Sequence, residues 1–149
     1  IMDFAKNIKI DMDEFEDFAE LGFVKGITNL ISNKFKCMKE TERPIHCTDA
    51  KRNIMYVKDQ DEWNKEEDGL PTIVKAIHMI EHTNFVKIIQ WKETHPQYNK
   101  AYTQDNDRYD LLLQGTSPYT NGGGEVQKRQ KIARNIASFT TINKPKYTK

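Results

Sequence analysis

Two histidines and a glutamate come closest to a known catalytic pattern in this 149-residue chain. His78, Glu81 and His82 follow the order His-x-x-Glu-His, which on a helix is the inverted zinc-protease arrangement. Histidines four residues apart share a helix face and can bind one Zn²⁺, with the glutamate as general base. A third ligand is also needed, and no later carboxylate is marked out for it. A polar helix flank is the alternative, so we predict no catalytic residue and keep a zinc-dependent hydrolase as a remote alternative.

The two cysteines, Cys37 and Cys47, allow two further kinds of site. Together with the histidine pair they have the composition of a Cys2His2 zinc site. Nine residues separate them, however, whereas a zinc knuckle has about two to four. Cys47 also follows His46 directly, but adjacent strand residues point to opposite faces, which separates a thiol from its base. We therefore predict no metal site, no cofactor and reduced thiols in an intracellular protein.

A run of three glycines, Gly122, Gly123 and Gly124, precedes a helical pattern. Backbone amides at a helix N-terminus can bind phosphate. Here no Lys-Ser/Thr pair follows and no strand precedes, so the P-loop pattern is incomplete. We predict instead that residues 115–124 form a flexible glycine-rich loop.

Basic residues gather towards the end of the chain. Residues 1–70 carry 11 basic and 16 acidic side chains, whereas residues 71–149 carry 12 basic and 6 acidic ones. Such a basic region can neutralise phosphates non-specifically, although a solvated helix face with a basic tail at residues 143–149 is the alternative. No zinc finger, RNP motif or clear helix-turn-helix is present. The candidate nucleic-acid-binding residues are Lys128, Arg129, Lys131 and Arg134 on the last helix, with Lys51 and Arg52 at a hairpin tip.

The composition limits the class of protein. With 37% hydrophobic and 30% charged residues, the chain is typical of a globular domain, which excludes collagen, disordered chains and disulfide scaffolds. No apolar run approaches the roughly 20 residues of a membrane helix, so we predict no membrane partner. The length suits a single domain over residues 1–149, and the initial Ile1 suggests a fragment of a longer chain.

Helical patterns surround one strand pattern. Asp11 or Asp13 can begin a helix that Gly22 interrupts, and Pro71 can begin a long one that ends near His95-Pro96. Shorter helices are predicted at 107–114 and 125–142. Apolar stripes at helical spacing predict the buried faces: Phe15, Phe18 and Leu21; Val24, Ile27, Ile31 and Phe35; Ile73, Ile77 and Ile80; Phe85, Ile88 and Ile89; and Ile132, Ile136 and Phe139.

Residues 43–58 change to strand periodicity and predict a β-hairpin. Ile45 and Cys47 fall on one face, and Asp49 can bond backbone amides in the turn that follows. Residues 59–69 are acidic and polar, which predicts a solvated loop from which Trp63 folds back onto the core. The predicted fold is thus α+β: a mainly helical single domain packed around one hairpin.

The hairpin sequence also resembles a known block. The segment runs Arg43-Pro44-Ile45-His46-Cys47-Thr48-Asp49-Ala50-Lys51-Arg52, then Ile54-Met55-Tyr56-Val57-Lys58-Asp59 and Trp63, with Trp91 and Pro96-Gln97-Tyr98 later. It is similar to an uncharacterised C-terminal domain in predicted proteins of nucleocytoplasmic large DNA viruses (giant viruses). That domain often follows a Cys2His2 zinc finger or a coiled coil. The resemblance implies a DNA-associated or scaffolding role, in an infected host cell (cytoplasm or viral factory) or in the virion, and implies no catalytic residues.

The sequence therefore predicts a non-catalytic viral module that associates with DNA or RNA through its basic last helix. The alternative is a protein-interaction module that binds itself or another viral or host protein.

Overall fold

The computed structural model describes residues 1–119 and 123–142. Within these ranges the chain forms five α-helices and a three-stranded antiparallel sheet, which confirms the predicted α+β, mainly helical single domain. The helices are α1 (Met2–Asn7), α2 (Met12–Lys36), α3 (Pro71–Thr94), α4 (Gln104–Thr116) and α5 (Glu125–Thr140). The strands are β1 (Ile45–Asp49), β2 (Ile54–Asp59) and β3 (Glu62–Lys65), and a 3-10 turn (Glu40–Glu42) leads into β1.

Helix α2 begins at a capping box and bends at a glycine. The Asp11 carboxylate accepts from the Glu14 amide at 2.7 Å, and the Glu14 side chain accepts from the Asp11 amide at 3.2 Å. Gly22 has φ 80° and ψ 178°, a conformation that glycine adopts readily and other residues rarely do. The two predicted stripes therefore lie on two helical segments with a kink between them, as the sequence indicated.

Helix α4 packs against α2 through a glycine contact. A Cβ atom at Gly115 would collide with the backbone carbonyl of Phe18, so only glycine permits this approach. The prediction that the glycine-rich loop begins at residue 115 is therefore wrong: residues 115 and 116 belong to α4, and Gly115 is buried. Residues 120–122 of that loop, and the basic tail at 143–149, lie outside the described residues.

The sheet contains one strand more than the predicted hairpin. In β1 and β2, Ile45 pairs with Val57 and His46 with Tyr56. A two-residue turn follows β2, with Gln60 at φ 51° and Asp61 at φ 63°, as a type I′ turn requires. The prediction of a loop over residues 59–69 is wrong for β3, because Asp and Gln stand where glycine normally marks such a turn.

One face of the sheet packs on the helices. The inner face presents four buried side chains: Ile45, Cys47, Met55 and Val57. They join the helical residues in one hydrophobic cluster. The end of α5 reaches the free edge of β1, where the Ile142 amide donates to the Cys47 carbonyl at 3.0 Å. The other face of the sheet is turned away from the core.

Helix α3 is continuous, and a carboxylate caps its start. Pro71 is its first residue, and the Glu66 carboxylate accepts from the Ile73 amide at 2.8 Å. Near its end, the buried Trp91 donates to the Glu16 carboxylate at 3.0 Å and stacks on His95. The prediction that Phe85 and Ile89 face the core is wrong, because the buried face of α3 continues through Asn84, Ile88 and Trp91.

Candidate nucleic-acid interface

The basic residues predicted on the last helix take different roles in the structure. Lys131 and Arg134 are exposed on α5, and Lys128 is half-buried. Arg129 is only 8% exposed. Its Nε and a terminal nitrogen donate to the two carboxylate oxygens of Glu81 on α3, at 2.7 and 3.0 Å. This pairing, the main cause of the shift, raises the pKa of the Arg129 guanidinium above its usual range. The placement of Arg129 therefore argues against a phosphate contact.

The same ion pair engages Glu81, the residue that would act as general base in the His-x-x-Glu-His pattern. Both Glu81 oxygens accept hydrogen bonds from Arg129, and the exposed His78 ring lies 3.5 Å from one of them. His82 is exposed on the next turn. Among residues 1–119 and 123–142, no group of three His, Cys, Asp or Glu side chains is placed to hold a metal ion. The geometry thus gives the zinc-hydrolase alternative no support.

The two cysteines also differ in their exposure to solvent. Cys37 is exposed after the end of α2, whereas Cys47 lies in the core on the inner face of β1. Burial raises the pKa of the Cys47 thiol, which keeps it protonated and weakly nucleophilic. His46 points to the outer face of the sheet and stacks on Trp63. The predicted divergence of Cys47 and His46 is therefore confirmed.

Two of the predicted nucleic-acid-binding residues, from separate elements, line the same pocket. Arg52 at the hairpin turn and Arg134 on α5 both line a pocket of about 280 Å³, together with Lys65 of β3. Glu67 and Asp68 line it as well and offset part of this charge. Lys51 is exposed at the tip of the same turn. The structure thus connects the hairpin and the last helix, which the sequence alone could not place side by side.

The outer face of the sheet was not predicted as a site. The pairing of Lys58 with Trp63 and of Tyr56 with Lys65 puts these four side chains on one face. Strand alternation adds His46, Thr48 and Ile54 to it. We call these seven residues the outer sheet face. It combines aromatic and basic side chains. Asp49 pairs with Ile54 at the border of this face, and its carboxylate accepts from the Arg52 amide at 3.2 Å and lies 3.8 Å from the Arg52 Nε.

The Trp63 ring lies across the outer sheet face, from β3 to β1. It lies on β3, yet its ring stacks on His46 of β1, across the intervening strand, with ring centroids 4.4 Å apart and planes 22° from parallel. The Trp63 residue is 40% exposed, so the prediction that it folds into the core is wrong. The alternation Tyr56-x-Lys58 and Trp63-x-Lys65 is the sequence signal that would have placed these residues on one face.

A second exposed surface is apolar. Phe85 and Ile89 of α3, Leu113 of α4 and Tyr119 line one groove of about 450 Å³. All four are exposed, and Phe85 is 64% accessible to solvent. We call these four residues the α3–α4 apolar surface. Contiguous apolar side chains of this kind are typical of protein-interaction sites.

The end of the glycine run leads directly into α5. Gly124 is the N-terminal flanking residue of α5, with φ −83° and ψ 150°. The Lys128 amide donates to the Gly124 carbonyl at 3.0 Å, which is the first backbone hydrogen bond of α5. Gly122 lies outside the described residues, so the predicted loop is described only at its ends.

No helix within the described ranges combines the length and the apolar character needed to cross a membrane. No protein-family model, curated protein or solved structure matches this chain. The resemblance to giant-virus proteins therefore stays a prediction.

Proposed function

We propose that this domain associates with nucleic acid, and that the contact surface is centred on the outer sheet face rather than on α5 alone. The observation that carries the proposal is the composition of that face. Lys58 and Lys65 lie opposite its aromatic side chains, and the carboxylate at its border, that of Asp49, is paired with Arg52. Surface lysines next to aromatic rings attract phosphates.

Basic groups next to the sheet extend this surface. Arg134 of α5 and Arg52 of the hairpin turn lie at the pocket that Lys65 also lines. Lys131 is exposed one helical turn before Arg134. The proposed contact surface therefore keeps Lys51, Arg52, Lys131 and Arg134 from the sequence prediction and adds Lys58 and Lys65. It omits the half-buried Lys128 and the buried Arg129.

Binding at several salt concentrations tests this proposal. Each phosphate that the protein neutralises releases counterions, so affinity for a DNA or RNA oligonucleotide should fall steeply as salt rises. The variant K58Q/K65Q should bind about tenfold more weakly and lower the salt slope by about 1 for each lysine removed. Binding that is absent at low salt, or that does not respond to salt, would reject the proposal.

A matched control uses a lysine at the far end of the molecule. Lys100 follows α3, whose 24 residues span about 36 Å and begin near the sheet. Lys100→Gln removes one positive charge, as each of the single variants Lys58→Gln and Lys65→Gln does, without touching the outer sheet face, and should leave affinity nearly unchanged. Equal losses in Lys100→Gln and in each of the single variants Lys58→Gln and Lys65→Gln would mean that net charge alone, and not this surface, determines binding.

Self-association is a second candidate function, favoured by the α3–α4 apolar surface. Phe85 and Ile89 are four residues apart on one exposed face of α3, so a second copy could pack its same residues against them about a two-fold axis. Light scattering at increasing concentration should then show dimers, which Phe85→Glu should dissociate. A strict monomer at all concentrations would exclude this candidate.

The viral context belongs to the same proposal. If the resemblance in residues 43–63 holds, the domain is the C-terminal module of a large DNA virus protein and acts in an infected cell or in the virion. Sequencing the gene from which this chain derives would test it, since a zinc finger or heptad repeat upstream would support the context.

A further inference from the structure

We infer that the outer sheet face binds single-stranded nucleic acid, with an unpaired base stacked on Trp63. This inference rests on the proposed function and specifies its ligand class. It is carried by the geometry of the ring stack, by the pocket beside it and by the positions of the two lysines.

The Trp63 ring is held ready to accept a base. Its stacking on His46 fixes the ring over the sheet, while 40% of the residue remains exposed. A large aromatic ring that is already oriented loses little conformational freedom when a ligand binds. Stacking on such rings contributes about 1–3 kcal/mol per base and tolerates any base, because each has a flat π-face.

A pocket of about 350 Å³ lies beside the stacked rings. Tyr56 and Trp63 give it aromatic walls, and Thr41, His46, Thr48 and Ile142 line it as well. This combination of apolar walls with a few polar groups suits a flat heterocycle that has hydrogen-bonding edges. A nucleobase has both properties, whereas a phosphate group alone would make no use of the aromatic walls.

The lysines stand where a nucleotide backbone would pass. Lys58 lies directly opposite Trp63 in the pairing of β2 with β3, and Lys65 lies directly opposite Tyr56. Each aromatic ring thus has a cation on the neighbouring strand, roughly 5 Å away at the backbone. Bases in a duplex are stacked on one another and cannot present a face to Trp63, so this arrangement selects unpaired strands.

Tryptophan fluorescence and affinity measurements on the full 149-residue chain test this inference. The probes are oligothymidine and oligouridine of about 12 nucleotides and a mixed-sequence duplex of the same length. The single strands should bind more tightly than the duplex, and should quench tryptophan emission. In Trp63→Phe the quenching should vanish while binding persists, because the remaining Trp91 is buried in the core.

Substitution of the ring should reduce affinity in a graded way. Trp63→Ala should weaken single-strand binding roughly 5- to 100-fold, and Trp63→Phe should weaken it less, because phenylalanine still stacks. Tyr102→Ala serves as the matched control, since Tyr102 is fully exposed in the segment after α3, at the far end from the sheet. Circular dichroism would establish that each variant remains folded.

The outcomes separate the inference from the proposed function. Salt-sensitive binding that is equally tight for the duplex and unchanged in Trp63→Ala would overturn the inference and leave the proposed function standing. No binding of any probe at low salt would overturn both. A preference between oligothymidine and oligouridine would identify DNA or RNA as the natural strand, and either supports the inference.

Discussion

Arg129 of α5 binds both carboxylate oxygens of Glu81 on α3, at 2.7 and 3.0 Å, with both side chains almost fully removed from solvent. This one contact joins two elements that are 48 residues apart in sequence. It engages the guanidinium of a predicted nucleic-acid-binding residue, and it occupies the glutamate of the His-x-x-Glu-His pattern.

We predict that loss of the Arg129–Glu81 ion pair lowers the stability of the fold strongly and changes nucleic-acid binding little. Arg129→Met should lower the free energy of unfolding by about 3 kcal/mol, because it leaves the Glu81 carboxylate buried and uncompensated. Urea denaturation would measure this loss. The double variant R129M/E81L should recover much of it. Folded Arg129→Met should bind oligonucleotides with the same affinity as the unmodified protein. A loss of affinity as large as that in K58Q/K65Q would mean that Arg129 takes part in nucleic-acid binding.

The contact between α4 and α2 predicts that Gly115 tolerates no side chain. Gly115→Ala should lower the free energy of unfolding by about 2 kcal/mol, since the added methyl group meets the Phe18 carbonyl and pushes the helices apart. Asp110→Ala is the control: it lies on an exposed position of the same helix, where alanine favours helix formation. Thermal unfolding of the two variants would compare them. Equal stability would show that α4 does not approach α2 this closely.

Asn84 predicts a stabilising substitution. It is fully buried on α3, and neither its amide nitrogen nor its amide oxygen has a hydrogen-bond partner in the described part of the chain. Replacing an unsatisfied polar group by an apolar one of similar size removes its desolvation cost, so Asn84→Leu should raise the free energy of unfolding by about 1–2 kcal/mol. Chemical denaturation would measure the gain. A marked loss would instead indicate that a buried water bonds the amide.

The different burial of the two thiols predicts their order of reaction. Cys37 is exposed, whereas burial raises the pKa of Cys47 and so reduces its thiolate fraction at neutral pH. A colorimetric thiol reagent should therefore modify one cysteine in the native protein and both in urea. Rapid modification of both thiols in the native state would contradict the placement of Cys47 in the core.

Local sequence patterns gave correct predictions for features that neighbouring residues determine. The helix start at Asp11, the break at Gly22 and the inward face of the hairpin depend on residues close to one another along the chain. Strand β3 was missed because its turn has no glycine, and α1 was missed because its six residues are too few to show a helical period.

The sequence by itself determined the fold class, the supply of basic side chains late in the chain and the separation of His46 from Cys47. Only the tertiary structure decided which cations are available to a ligand. Arg129 and Arg134 are five residues apart on α5, so they point about 140° away from each other. The packing of α5 on α3 therefore buries Arg129 against Glu81 and leaves Arg134 exposed beside the sheet. The position of the Trp63 ring was also decided by the tertiary structure. Its stacking partner His46 lies two strands away, and only the order of the strands in the sheet brings the two rings together.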